Sequence, residues 1–317
     1  MGALNSRLQH APGIQLAIRV GIHTGLVVIG EMGGAQRQEQ LALGETLNIA
    51  ARIQGTAASN TVVIGHATYR LVQGYFECQA LGAQHLRGVA EPVAMYRVLH
   101  QSGVHSRLDI ASTRGLTPLV GRESEVALLV ERWQQAKDGQ GQVILLSGEA
   151  GIGKSRLVQV LKDHVASAPY TLWECRSSPY YQNTALYPII DLIQRTLRWQ
   201  PDETPEEKLA TLERQVRQYQ LPLEESVPLF APLLSLQVPA DRYPPLNVSP
   251  QRQRQKTLES LVAILLELAE REPVLFILED LHWTDPTTLE FLSLLVAHVP
   301  AVALYTLLTC RPHFQPA

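Results

Sequence analysis

Gly148-Glu149-Ala150-Gly151-Ile152-Gly153-Lys154-Ser155 decides the fold of the larger part of this chain. The spacing is G-x-x-x-x-G-K-S; an apolar strand, Val143 to Leu146, runs into it, and a helix from about Lys154 to Val165 leaves it. Phosphate oxygens need many donors at close range. Glycines permit backbone angles that aim N–H groups inward, no side chain blocks the approach, and the helix N-terminus adds the positive end of its dipole. The stretch is expected to hold phosphates with Gly148, Gly151, Gly153, Lys154, Ser155 and Arg156. Lys154 would reach the β- and γ-phosphates, and the Ser155 hydroxyl would ligate a metal. ATP with Mg2+ is the expected ligand.

Such a site needs an acid at the end of a neighbouring strand. Val274-Leu275-Phe276-Ile277-Leu278-Glu279-Asp280 supplies two. Adjacent carboxylates beside an apolar core are costly without a cation. One of Glu279 and Asp280 is expected to face magnesium and the other to orient the attacking water, in an order the spacing leaves open. Asp285 is a further candidate acid. Arg311 follows another apolar run, Val302 to Leu308, and at that place suits either the γ-phosphate or a plain surface position. Uninterrupted apolar runs of this type suit a parallel sheet covered on both faces.

Outward from this centre, Tyr170 to Cys175 reads as another strand, and Ser249-Pro250 opens a long helix to about Glu270. Ser124 is an expected N-cap for a helix with Val126, Leu129, Val130 and Trp133 on one face. From Gln101 to Pro118 the apolar pattern breaks down into a linker. Before it, Ile14, Leu16, Ile18, Val20 and Ile22 alternate as in a strand. His23-Thr24-Gly25 is an expected turn into a second, largely buried strand, Leu26 to Glu31, completing a hairpin. A helix from about Glu45 to Ala58, a strand Thr61 to Ile64, a helix His66 to Val72 and a strand Val93 to Leu99 follow.

Composition bounds the rest. The 317 residues suit two domains, and 45% hydrophobic with 18% charged residues suit a buried core. A net charge of −3 argues against a general nucleic-acid binder. No apolar run approaches the roughly 18 residues needed to span a bilayer, and Met1 to Gly13 has no apolar signal region. Met1 to Ser6 fits the N-myristoylation pattern, which is short and frequent by chance. Cys78, Cys175 and Cys310 are far apart and odd in number, as expected of core thiols in a reducing cytoplasm.

Leu119-Val120-Gly121-Arg122-Glu123, Ser147 to Arg156, Cys175 to Pro188, Leu278 to Pro286 and Leu308 to Pro312 resemble the signal-transduction (STAND) class of AAA-type ATPases. In that family the strand-end pair is often Asp-Asp, where this chain has Glu279-Asp280. The family's helical lid, winged helix and repeats would follow Arg311, so the resemblance implies a lidless parallel-sheet P-loop domain over residues 118–317.

Arg19-Val20-Gly21-Ile22-His23-Thr24-Gly25, then Gly44 to Arg52, then His85 to Val98 resemble the C-terminal half of class III adenylate and guanylate cyclases. The order is that of bacterial cyclase–ATPase fusions similar to soluble adenylyl cyclase. The resemblance implies a truncated ferredoxin-like α+β domain over residues 1–100, a linker over 101–117 and an α/β chain overall. Such a half domain is expected to expose a sheet edge. Asn48 and Arg52 lie four apart on one helix face. By the resemblance, Asn48 orients a ribose and Arg52 steadies charge on the attacked phosphate, a role that suits a guanidinium. A polar outer helix face is the plain alternative. The family's metal-binding aspartates and base-reading lysine would precede residue 1, and Leu41 stands where a base-choosing Asp or Thr is usual. In the family one site draws on both domains of a dimer, which implies a cyclase-domain partner.

Three functions fit: an ATP-binding switch coupled to a cyclase domain, a cyclase half active only with another chain, or an ATP-dependent transcription regulator. No helix-turn-helix supports the last.

Overall fold

The computed structural model describes residues 16–32, 39–102, 115–200 and 203–315. The stretch Met1 to Gly13, most of the linker over 101–117 and the last two residues lie outside them. The chain divides into two compact units, Met1–Pro118 and Leu119–Ala317. With a mixed sheet in one and a parallel sheet in the other, the chain is α/β.

In the second unit the strands β7 (Gln142–Ser147), β8 (Thr171–Arg176), β9 (Val274–Glu279) and β10 (Leu304–Cys310) form one sheet in the order β7-β10-β9-β8. Every pairing in it is parallel. Every residue of β9 and β10 is buried. Strand periodicity sends alternate residues to opposite faces, so each run feeds two cores. Phe276, Leu278, Leu304 and Leu308 join one, and Leu275, Ile277, Tyr305 and Leu307 the other. The edge strand β7 differs, with Val143 40% and Leu145 53% exposed.

Helices cover the sheet. The helix α3 (Glu123–Lys137) starts one residue before the expected cap: Arg122 is its N-cap, and Ser124 lies in the first turn beside Glu123 and Glu125. Those two acids favour the helix N-terminus through the dipole, so no side-chain cap is needed. The helix α4 (Lys154–Val165) leaves the glycine loop as expected. The helices α5 (Tyr187–Leu197), α6 (Pro205–Gln218) and α7 (Leu223–Leu233) come next. Ser249 accepts from the Arg252 N–H and caps α8 (Pro250–Arg271), and α9 (Pro286–His298) precedes β10.

In the first unit β1 (Arg19–Ile22), β4 (Thr61–Gly65), β5 (Phe76–Gln84) and β6 (Val93–Gln101) form a sheet in the order β1-β4-β6-β5. The expected hairpin is not there. The second apolar run, β2 (Val28–Met32), pairs antiparallel with β3 (Glu39–Leu43), while β1 pairs parallel with β4. Gly21 supplies the physical reason. A Cβ on it would lie 2.3 Å from the Gln54 nitrogen and 2.5 Å from the Ala50 carbonyl oxygen. The helix α1 (Glu45–Thr56) therefore lies directly on β1 and carries the chain across to the parallel β4. Nor is the second run buried, for Leu26 is 95% and Ile29 70% exposed. The helix α2 (His66–Val72) lies where expected.

Candidate functional site

A parallel sheet brings the C-terminal ends of its strands to one edge, where ligands of such sheets bind. Here that edge carries the glycine loop after β7, Arg176 at the end of β8, Glu279-Asp280 at the end of β9 and Arg311 after β10. The register aligns Cys310 with Ser147 and Arg176 with Glu279.

The loop is held by its own backbone. The Gly148 N–H donates to the Cys310 carbonyl at 3.3 Å. Gly151 and Gly153 have φ of 82° and 100°, left-handed values that glycine adopts without strain. Gly153 is the N-cap of α4, which has neither a side-chain cap nor an acid in its first turn. By contrast α3, α6 and α7 each carry two acids there. The first N–H groups of α4 therefore have no side-chain cap. The Lys154 ammonium donates to the Gly148 carbonyl at 2.7 Å and the Glu149 carbonyl at 3.0 Å, so it lies over the loop. Arg156 is half-buried in the same first turn.

The acids separate by environment. Glu279 is 3% exposed; its Oε2 accepts from the Ser155 hydroxyl at 2.5 Å and its Oε1 from Arg176. A carboxylate so deep in apolar surroundings needs both partners to offset its desolvation. Asp280 adopts a left-handed φ of 62°, and its N–H donates to the Thr309 hydroxyl at 3.0 Å. Its carboxylate has no hydrogen-bond partner among the described residues. The chain then enters a 3-10 turn, Leu281–Trp283. Arg311 lies with its guanidinium 5.5 Å from the Trp283 ring centroid. Burial holds His282 below its ordinary pKa, with Arg311 and Lys154 acting in the same direction and Asp280 against them.

Asp285 is not a free acid. It is 2% exposed and caps α9, its Oδ1 accepting from the N–H groups of Thr287, Thr288 and Leu186 and its Oδ2 from the Thr288 hydroxyl. Asp-Pro at a helix start is an N-cap followed by N1 proline. Two further residues went unassigned from sequence. Arg176 completes the Glu279 carboxylate from a strand 103 residues away. Arg122 bonds Glu125 at 2.6 Å and the Ile152 carbonyl in the glycine loop at 3.3 Å. Strand-end position was the available signal for Arg176, but its partner was not readable.

The donor set suits a hard cation. Ser155 and Glu279 offer oxygen, Asp280 stands next to them, and no group of three His, Cys, Asp or Glu side chains forms a metal cage among the described residues. Magnesium takes few protein ligands and completes its shell with water and phosphate oxygens.

In the first unit Asn48 on α1 is exposed, whereas Arg52 is half-buried. A Cβ on Gly88 would lie 3.2 Å from both terminal guanidinium nitrogens of Arg52. One of those nitrogens is shielded and has no hydrogen-bond partner. The backbone of Leu41 is in β3.

A four-stranded parallel sheet with a glycine loop at one strand end and a buried acid at the next describes a nucleotide-binding ATPase domain. The chain belongs to the AAA ATPase domain family, which matches residues 118–308, and residues 1–100 match the adenylate and guanylate cyclase catalytic domain. An uncharacterised protein of Rhizobium meliloti (strain 1021) is 28% identical over 94% of this chain and 29% of its own length. Adenylate cyclase type 10 of Mus musculus is 23% identical over 89% of this chain and 18% of its own. The chain therefore spans less than a third of either relative. The adenylyl cyclase CyaB from P. aeruginosa, a solved structure, is 27% identical over 34% of this chain and 54% of that one, with a TM-score of 0.29. Among the described residues no helix is long and apolar enough to cross a membrane.

Proposed function

We propose that this chain is part of a cytoplasmic signalling protein in which an ATP-operated switch of the STAND type is coupled to a class III cyclase domain. The observation that carries this reading is the bond between Ser155 and Glu279, 2.5 Å long across 124 residues of sequence. It joins the loop that would hold phosphates to the acid that would hold the metal. Magnesium would supply charge neutralisation at the β- and γ-phosphates, held by Ser155 and Glu279. Glu279, fixed on both oxygens, suits the metal side, and Asp280, with a carboxylate free of partners, suits the attacking water. Lys154 would leave the loop carbonyls for phosphate oxygens, and Gly148, Gly151 and Gly153 would let the backbone N–H groups face them. Arg311 would meet the terminal phosphate from the β10 side, with Arg156 beside it in the first turn of α4. Free, buried Cys175 and Cys310 fit a reducing compartment.

For the first unit the reading is part of a class III cyclase domain, to which residues 1–100 contribute Asn48 and Arg52. Asn48 is exposed and Arg52 keeps one unbonded nitrogen, as expected of groups that meet a nucleotide held by a dimer partner's acids.

The test is calorimetry on the whole chain. Lys154→Ala removes a charge-assisted contact worth on the order of 1.5–3 kcal/mol, so Mg-ATP affinity should fall at least about tenfold. Unchanged affinity would sink the assignment.

A further inference from the structure

His282 lies three residues beyond the buried Glu279, in the turn Leu281–Trp283 that opens on the left-handed Asp280. Neither of its ring nitrogens has a hydrogen-bond partner, and both are shielded from solvent. Its ring centroid is 5.1 Å from that of Trp283, whose ring in turn carries the Arg311 guanidinium at 5.5 Å. The charges that act on the imidazole are those of Asp280, Arg311 and Lys154. An imidazole always has at least one N–H to place, and a native core seldom leaves such a group unpaired. A hydrophobic side chain would fill the same turn beside Trp283 without that cost. The ring is out of place as packing and in place beside an anion.

Its position says which part of the anion. The first turn of α4 and the loop N–H groups serve the inner phosphates, and Ser155 with Glu279 marks the metal side. His282 follows β9, on the far side of β10 from the glycine loop, and shares the Trp283 ring with Arg311, where the end of a phosphate chain remote from the loop would lie.

We propose that His282 reads the γ-phosphate: on binding, the imidazole turns one ring N–H onto a terminal phosphate oxygen, and so lets the site tell ATP from ADP. This rests on the glycine loop being an ATP site. His282 is a binding residue here, and no proton transfer is assigned to it.

The test compares affinities of the whole chain for ADP and for a non-hydrolysable ATP analogue, both with magnesium, by calorimetry. One hydrogen bond to a charged phosphate is lost in His282→Ala, so the analogue should bind roughly tenfold more weakly while ADP affinity holds within about twofold. His282→Gln keeps a donor and should recover part of the loss; His282→Phe keeps the ring contact with Trp283 and should not. Equal weakening for both nucleotides, or full recovery by phenylalanine, would mean a packing role and overturn the proposal. So would an unchanged ratio in His282→Ala. Failure of the parent chain to bind either nucleotide would overturn the ATP site itself, and this inference with it.

Discussion

The two sheets bury their strands to different depths. In the second unit β9 and β10 are buried at every position, between cores on both faces. In the first, β5 is mostly exposed, β1 is exposed at both ends, and the core is Ile53, Ala57, Val63, Leu86 and Met95. The difference extends to the side chains proposed for function. Glu279 sits on the deep sheet and is fixed on both oxygens before any ligand arrives. Asn48 and Arg52 sit on a helix over the shallow sheet, one exposed and the other with an unbonded nitrogen. Groups held by packing and by second partners are preorganised for chemistry, while groups on a thin core need a surface supplied from elsewhere.

The largest test of this contrast is Phe276→Ala. Phe276 is fully buried in β9 and packs edge-on to Phe291, ring centroids 6.1 Å apart. Emptying such a site costs about 3–5 kcal/mol. All four tryptophans, Trp133, Trp173, Trp199 and Trp283, lie in the second unit, so their fluorescence follows that unit alone while far-UV circular dichroism follows both. In urea the fluorescence transition should move to lower concentration and the remaining dichroism transition should stay. A common shift of both would break the comparison, because the units would then unfold as one.

The same contrast explains what could be read from sequence. Fully apolar runs announced β9 and β10, since burial on two faces leaves no room for alternation. The glycine loop, α4, α8 and the Glu279-Asp280 strand end were legible because each rests on local rules. In the first unit, adjacent apolar runs suggested a hairpin, but pairing was decided by α1 packing on Gly21, a contact between distant residues. Strands β3 and β5 were missed. The sequence Phe76 to Gln84 is rich in small residues, with Ala80, Gly82 and Ala83, and its pairing with β6 slips between Ala80 and Gly82, so no steady alternation marks it. Two misses were avoidable. Thr204 and Glu207 form a capping box that announces α6, and Asp285-Pro286 is a helix start that was weighed as a catalytic acid. The Arg176–Glu279 pair was not legible, because nothing local ties an arginine at one strand end to a carboxylate at another.

Glycines sharpen the comparison at a smaller scale. Gly153 has a φ of 100°, where a Cβ is strained. Gly153→Ala should cost about 1–2 kcal/mol in the second unit's transition and weaken nucleotide binding as well. Gly55 lies inside α1 with nothing within 4 Å of an added Cβ. Gly55→Ala should instead stabilise the first unit by about 0.5–1 kcal/mol. Paired urea curves read both signs. Stabilisation at Gly153 would mean that the loop backbone is not held as described.

The smallest expected effect separates the units by pH. Burial lowers the pKa of His23 below its ordinary 6.5. Its Nδ1 is shielded without a partner, 2.4 Å from where a Cβ on Gly65 would stand. The fold thus favours the neutral ring, and the unfolded chain binds the proton more readily. The contribution of His23 is fully present above the unfolded pKa and is lost as pH falls through the depressed folded value. The first unit should therefore weaken as pH falls below the ordinary histidine value of 6.5, and His23→Asn should flatten that slope. Amide exchange at Ile64 and Gly65 in β4 follows this unit where tryptophan cannot. An unchanged slope in His23→Asn would assign the acid sensitivity to another group, and faster exchange at higher pH, after correction for the intrinsic rate, would reverse the sign argued here.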